Sequence, residues 1–87
     1  MKSVCFDPEA WEQYTDWQRT DKSMVKRINL LLAAIMREPF EGIGKPEPLK
    51  HDLAGFWSRR INDEHRLVYR VLENQIQVIQ VRYHYGS

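Results

Sequence analysis

The feature that most constrains the fold is a change of hydrophobic period across residues 39–48, PFEGIGKPEP. Before this segment, apolar residues recur at the three- and four-residue spacing of a helix, and after it they alternate as in a strand. The segment itself holds three prolines and two glycines, so we expect it to lie outside any regular element. A helical part followed by a β part is typical of an α+β domain.

Two helices are predicted before this loop. Asp7-Pro8 favours the start of the first, over residues 8–19, because Asp can cap a helix and Pro suits its first position. Thr20 or Asp21 caps the second helix, which ends before the first proline of the loop. Its apolar stripe consists of Met24, Val25, Ile28, Leu31, Leu32 and Ile35. The pair is expected to form a helical hairpin.

Four strands are predicted, at residues 2–6, 56–61, 66–72 and 75–85. Turns at 62–64 and 73–74 join the last three into two hairpins. The order β-α-α-β-β-β predicts an α+β domain with the helical hairpin packed on one face of an antiparallel sheet. We expect one domain over residues 1–87, since the chain is short.

The two turns also predict the register of the strands. The first hairpin pairs Trp57 with Tyr69, and the second pairs Tyr69 with Val78. The adjacent apolar pair Val78-Ile79 predicts a β-bulge, because one extra residue is needed to keep the apolar side chains on one face. The face that the helices should cover then carries Trp57, Leu67, Tyr69, Val81 and Tyr83.

The same register places Arg60, Arg66 and Arg82 in a row on the other face, with His84 diagonal to Arg66. Like charges on neighbouring strands are destabilising by about 0.2–1 kcal/mol per pair. Such a row favours a polyanionic partner, although arginines splayed into solvent would also fit the pattern.

Composition excludes several classes of protein. No apolar run approaches the roughly 18 residues of a membrane span, and the N-terminus lacks the layout of a signal peptide. Cys5 is the only cysteine, which rules out an internal disulfide or a cysteine-based zinc site and is more typical of a small core residue than of a nucleophile. We expect a soluble, cytoplasmic domain without a membrane partner.

The chain lacks a glycine-rich phosphate loop, a metal-ligand spacing and a nucleophile signature. Its remaining Arg, Lys, Glu, His and Tyr residues suit RNA cleavage without a metal or cofactor, in which the ribose 2′-OH is the nucleophile. That reaction needs a base, an acid and cations near the phosphate.

Long stretches of the chain resemble the YoeB (Txe/YoeB) toxin family, within the RelE-like superfamily. They are WQRTDK, PFEGIGKPEPLKHDLAGFWSRRINDEHRLVYRV and the terminal RYHY, and the resemblance runs from Met1 to Tyr85. Gly86 and Ser87 extend beyond the usual end of the family. The resemblance implies a RelE-like fold and a type II toxin that acts as a ribosome-dependent mRNA endonuclease. It also implies the 70S ribosome and a YefM-type antitoxin as partners, and it is compatible with a homodimer.

The resemblance also assigns roles to individual residues. Glu47 matches the general base, Arg66 the phosphate-stabilising arginine and His84 the general acid. Tyr85 matches a tyrosine that orients the phosphate, and Lys50 and Arg60 match basic residues that line the same site. Arg82 is added from the register alone, and a scaffold role would suit it equally.

Other interpretations compete with these assignments. A ParE-like toxin that binds gyrase without catalysis is the main alternative, and a simple RNA-binding module is another. Glu47, Lys50 and Arg60 could be plain surface residues. The tryptophans Trp11, Trp17 and Trp57 are expected to pack in the core or between helices, and His51 and His65 are interpreted as loop or turn residues.

Overall fold

The computed structural model describes residues 2–84, and it confirms an α+β fold with two helices on one face of a sheet. The helices are α1 (Pro8–Thr20) and α2 (Lys22–Arg37). The strands are β1 (Ser3–Phe6), β2 (Glu47–Pro48), β3 (Trp57–Arg60), β4 (Arg66–Val71) and β5 (Gln75–Gln80). A 3-10 turn, His51–Leu53, lies between β2 and β3.

The sheet has the strand order β1-β5-β4-β3-β2 and is mixed, not purely antiparallel as predicted. The two helices carry the chain from β1 across the sheet, so β1 runs parallel to β5. A second correction concerns β2, which falls inside the expected loop. Glu47 and Pro48 pair with Ser58 and Trp57 at the sheet edge, where a proline that cannot donate a hydrogen bond is tolerated.

Both helices begin where the sequence predicts. Pro8 occupies the first turn of α1, while the carboxylate of Asp7 makes no capping bond and accepts one from Gln77 Nε2 at 2.8 Å. Asp21 caps α2 by accepting from the Ser23 backbone N–H at 3.0 Å. The buried stripe of α2 consists of Met24, Ile28, Leu31, Ala34 and Ile35.

The predicted register is confirmed through most of the sheet. Trp57 pairs with Tyr69, and Tyr69 pairs with Val78. Because Val68 then pairs with Gln80, Ile79 is the extra residue of the predicted β-bulge. The helix-covered face is closed by the fully buried side chains of Leu67, Tyr69, Ile76, Val78 and Val81.

Three side chains expected in the core lie outside it. Cys5 is exposed because β1 is an edge strand and Cys5 pairs with Gln77, on the face away from the helices. Trp11 is also exposed and contacts the rings of Phe6 and Tyr14, whereas Trp17 and Trp57 pack against the core as expected. Tyr83, predicted on the helix-covered face, is 60% exposed.

The end of the chain departs most from prediction. The strand expected over 75–85 ends at Gln80, and Tyr83 has a φ of +65°, which is incompatible with a continuing strand. Arg82 therefore does not complete the arginine row. Its guanidinium donates to Asp16 Oδ2 at 2.7 Å and lies 4.3 Å from the ring of Trp17, on α1. The predicted diagonal of His84 to Arg66, which required a longer β5, is lost with it.

Candidate functional site

The sheet face turned away from the helices carries several of the predicted site residues; we call it the site face. Its members on the three strands β2, β3 and β4 are Glu47, Ser58, Arg60, Arg66 and Val68, and all point opposite to the core residues between them. Ser58 and Val68 are buried, so the middle of this face is covered. The spacing of strands and residues puts the Cα atoms of Glu47 and Arg66 roughly 12 Å apart.

Arg66 is the most constrained of the predicted site residues, and only 7% of it is exposed. Its Nη1 donates to the carbonyl oxygens of Asn62 at 2.7 Å, His65 at 3.2 Å and Asp63 at 3.3 Å. Within residues 2–84, the Nε and Nη2 atoms of Arg66 make no hydrogen bond to another residue. The turn thus holds the guanidinium at one nitrogen and leaves the edge that can form two parallel bonds to a phosphate.

The turn that holds Arg66 is itself ordered by Asn62. The side-chain oxygen of Asn62 accepts from the backbone N–H groups of Glu64 at 2.9 Å and His65 at 2.7 Å. An asparagine that bonds to the backbone two and three residues ahead stabilises a tight turn. This hydrogen bonding orients the carbonyl oxygens that receive Arg66.

Arg60 pairs with Arg66 across β3 and β4, as predicted, and its side chain is exposed. Glu47 and Lys50 are exposed too, and both line a surface pocket of about 430 Å³ formed by residues 47–53. The structure therefore brings the predicted residues together in two pairs, Glu47 with Lys50 and Arg60 with Arg66.

His84 is exposed and lies beyond the end of β5, so it is not part of these pairs through strand register. Tyr85 lies outside the described residues. Within residues 2–84, no group of three or more His, Cys, Asp or Glu side chains is placed to hold a metal ion.

Arg59 has a structural role that is not among the sequence predictions. This side chain is fully buried on the helix-covered face, where Nε donates to Tyr69 Oη at 3.2 Å and Nη1 to the Ile43 carbonyl at 3.1 Å. Nη2 donates to the carbonyl oxygens of Glu38 and Glu41 at 2.6 and 2.8 Å. Arg59 thus ties the loop before β2 to the core. The alternation of Trp57, Arg59 and Ile61 carried the signal, since it places Arg59 on the apolar face.

Tyr69 completes this anchor. Its hydroxyl donates to the Pro39 carbonyl oxygen at 2.5 Å while accepting from Arg59. Burial raises the pKa of the Tyr69 phenol, with the neighbouring Arg59 acting in the opposite direction. The phenol is therefore a stable donor to the loop, which leads directly to Glu47.

His65 lies in the segment just before β4, as the prediction of a loop or turn residue requires, and it is buried between α1 and residues 81–83. Its Nδ1 accepts from the Tyr83 backbone N–H at 2.8 Å, and its ring meets that of Trp17 edge-on at 5.0 Å. No sequence signal indicates this contact, because Tyr83 lies 18 residues after His65.

A family profile described as the YoeB-like toxin of bacterial type II toxin-antitoxin system matches residues 6–85. Toxin YoeB of Escherichia coli K12 is 58% identical over 85 residues, which cover 98% of this chain and 100% of that protein. No helix within residues 2–84 is long and apolar enough to cross a membrane.

Solved structures agree with this relationship. The YoeB dimer of Staphylococcus aureus matches with a TM-score of 0.91 at 53% identity, over 97% of this chain and 98% of that one. A heterotetrameric YoeB-YefM complex from the same organism matches with a TM-score of 0.90 at 52% identity, over 98% and 99%. YafQ of E. coli, at 13% identity and a TM-score of 0.80 over 97% and 94%, shows the RelE-like fold alone. The chain belongs to the family of YoeB-like toxins of bacterial type II toxin-antitoxin systems.

Proposed function

We propose that this toxin inhibits translation as a ribosome-dependent endonuclease, which cleaves mRNA by metal-independent acid–base catalysis. The observation that supports this most is the environment of Arg66. A nearly buried guanidinium is held at Nη1 by three turn carbonyls, on the same sheet face as the exposed carboxylate of Glu47. A fixed cation near a carboxylate suits a reaction in which negative charge grows on a phosphate.

In the proposed reaction, Glu47 accepts the proton of the ribose 2′-OH. The 2′-oxygen then attacks the adjacent phosphorus, while the bond from phosphorus to the 5′-oxygen breaks. His84 donates a proton to that leaving oxygen, so the products are a 2′,3′-cyclic phosphate and a free 5′-hydroxyl. Protons and electrons balance without a metal ion, because one side chain gains the proton that another loses.

The remaining residues have supporting roles in this proposal. Arg66 stabilises the charge on the non-bridging phosphate oxygens through the edge that its turn contacts leave unused. Lys50 and Arg60, both exposed, attract and position the RNA backbone. Tyr85 orients the phosphate, a role that rests on the family resemblance alone.

We also propose that a YefM-type antitoxin neutralises this toxin and that two copies can associate. The S. aureus relative was solved both in a heterotetramer with YefM and as a dimer. The whole chain, 1–87, would act as one domain in the cytoplasm, where its substrate is bound to 70S ribosomes. Basic residues of the site face would offer acidic antitoxin side chains a complementary surface.

The test is cleavage of a defined mRNA by the purified toxin with and without 70S ribosomes. We expect cleavage on programmed ribosomes and at least about 100-fold slower cleavage of the free RNA, because the ribosome supplies the positioning. Equal rates on free and ribosome-bound RNA would contradict the ribosome dependence. Inhibition of gyrase supercoiling without RNA cleavage would instead support the ParE-like alternative.

A further inference from the structure

Val81 and Arg82 are fastened to the fold by contacts with α1, outside the sheet. The Val81 N–H donates to Gln13 Oε1 at 2.8 Å, and its carbonyl accepts from Trp17 Nε1 at 2.9 Å. Arg82 adds the ion pair with Asp16. Because Gln13, Asp16 and Trp17 lie three and four positions apart on α1, they share one helix face. One side of α1 therefore holds the chain after β5 has ended.

Tyr83 is held by residues at the start of β4 and the end of β5. Its N–H donates to His65 Nδ1 at 2.8 Å, and its carbonyl accepts from the backbone N–H of Arg66 at 3.0 Å and from Gln80 Nε2 at 2.9 Å. A φ of +65° is uncommon for a residue with a side chain and persists only where neighbouring groups enforce it. Among residues 2–84, the only side chain that accepts a hydrogen bond from the Tyr83 N–H is His65.

The geometry also defines the state of the His65 ring. Since Nδ1 accepts a hydrogen bond from a backbone N–H, the ring proton must lie on Nε2. Nε2 lies 3.6 Å from Glu64 Oε1, and this neighbouring carboxylate oxygen favours an N–H donor at Nε2. The rings of Trp17 and Tyr83, at centroid distances of 5.0 and 5.8 Å, pack against the imidazole. The ring is thus fixed in orientation and in tautomer.

We propose that His65 is a positioning residue for RNA cleavage, which holds Tyr83 in its left-handed conformation and so sets the direction in which His84 leaves the fold. This inference rests on the proposed function, in which His84 is the general acid. His65 does not itself touch the RNA in this scheme. Its contribution would be to position the acid, His84, because an acid displaced by about 1 Å can lower a cleavage rate by about 100-fold.

Two substitutions separate the acceptor from the bulk of the ring. His65→Leu keeps an apolar side chain but has no acceptor, whereas His65→Asn retains an oxygen at the position of Nδ1. Ile28→Val, in the buried stripe of α2, is the control for mild destabilisation in another element. Each variant is compared with the wild type by amide hydrogen exchange of Tyr83, single-turnover cleavage on saturating programmed ribosomes and equilibrium ribosome binding. Ring ¹⁵N chemical shifts of wild-type His65 report the tautomer.

We expect His65→Leu to raise the Tyr83 exchange rate by at least about 10-fold and to lower the cleavage rate by about 10- to 100-fold, with ribosome affinity within about 2-fold of wild type. His65→Asn should restore the cleavage rate to within about 5-fold of wild type, and Ile28→Val should change neither rate by more than about 2-fold. The ring shifts should show Nδ1 unprotonated.

Normal cleavage by His65→Leu would overturn the proposal, as would a His65→Asn variant that is as slow as His65→Leu. A loss of ribosome affinity that equals the loss of rate would make His65 a docking residue and also overturn it. If His65→Leu does not fold, His65→Asn and the ring shifts decide. A wild-type protein that cleaves no mRNA overturns the proposed function, and the positioning role with it, whereas Tyr83 exchange still measures the contact itself.

Discussion

Two buried arginines, on opposite faces of the same sheet, are held in different ways. Arg59, on the helix-covered face, uses Nε, Nη1 and Nη2 in four hydrogen bonds, to three loop carbonyls and the hydroxyl of Tyr69. The guanidinium of Arg66, on the site face, makes its hydrogen bonds to other residues within 2–84 from Nη1 alone. Both residues are buried, but only Arg59 uses all three guanidinium nitrogens in the contacts described. No buried side-chain nitrogen or oxygen among the described residues lacks a partner, so the unbonded nitrogens of Arg66 still reach solvent.

We propose that this difference separates an arginine that builds the fold from one that binds a ligand. A buried charge needs partners on all sides, or the cost of removing it from water is not offset. Arg59 finds them inside the protein. For Arg66, the proposed partner of the remaining edge is a substrate phosphate. On that proposal the first residue serves stability and the second serves chemistry. The following predictions test that division.

The largest effect is expected at the two proton-transfer residues. Glu47→Gln and His84→Ala should each lower single-turnover cleavage on ribosomes by roughly 100-fold or more, because each removes one proton transfer. Both side chains are exposed, so the free energy of unfolding should stay within about 0.5 kcal/mol of wild type. Glu41→Gln, at another exposed glutamate, is the matched control. Wild-type cleavage by either variant would refute its assigned role.

The next effect concerns Arg59. Arg59→Lys should lower the free energy of unfolding by about 2–4 kcal/mol, because a single ammonium group cannot serve four acceptors around a planar fork. Denaturant unfolding measures this loss. The cleavage rate, expressed per folded molecule, should fall much less than the loss in the free energy of unfolding would suggest. An Arg59→Lys variant of normal stability would show that the loop before β2 does not depend on this anchor.

The smallest effect is a pH dependence at the chain end. The hydrogen bond from Arg82, followed by that from Arg19, holds the pKa of Asp16 below its usual value. Since the folded pKa is depressed, the stabilisation is present above the unfolded pKa near 4 and is lost as the pH falls through the folded value. Asp16→Asn should therefore be less stable than wild type at pH 7, and the difference should shrink as the pH falls below the unfolded pKa of Asp. A pH-independent difference would assign the effect to packing.

Sequence reasoning predicted the regular part of this molecule well, for physical reasons. The apolar stripe of α2 predicts its buried face. In the sheet, only one register keeps the apolar side chains near Tyr69 and Val78 on one face, and that register requires the β-bulge at Ile79. The candidate residues on β3 and β4 could be placed in the same way. Glu47 came from family resemblance, and the two-residue strand that carries it was not foreseen.

The errors cluster where side chains bond to distant backbone. Periodicity would continue β5 through Tyr83, but Gln13, Trp17 and His65 compete for the same backbone groups and turn the chain away. Arg59 departs from the general rule that a charged side chain is solvated. Such contacts join segments far apart in sequence, so no local pattern predicts the partners, although strand alternation does place Arg59 on the apolar face.

The most direct test of the division between the two arginines is Arg66→Lys, measured beside Arg59→Lys. Single-turnover cleavage, equilibrium ribosome binding at two salt concentrations and denaturant unfolding are recorded for both. For Arg66→Lys, we predict a cleavage rate lower by about 100-fold with ribosome affinity within about 2-fold of wild type, because lysine cannot form two parallel bonds to a phosphate. If Arg66→Lys instead keeps its single-turnover rate and loses affinity, Arg66 is a docking residue and the proposed chemistry is wrong.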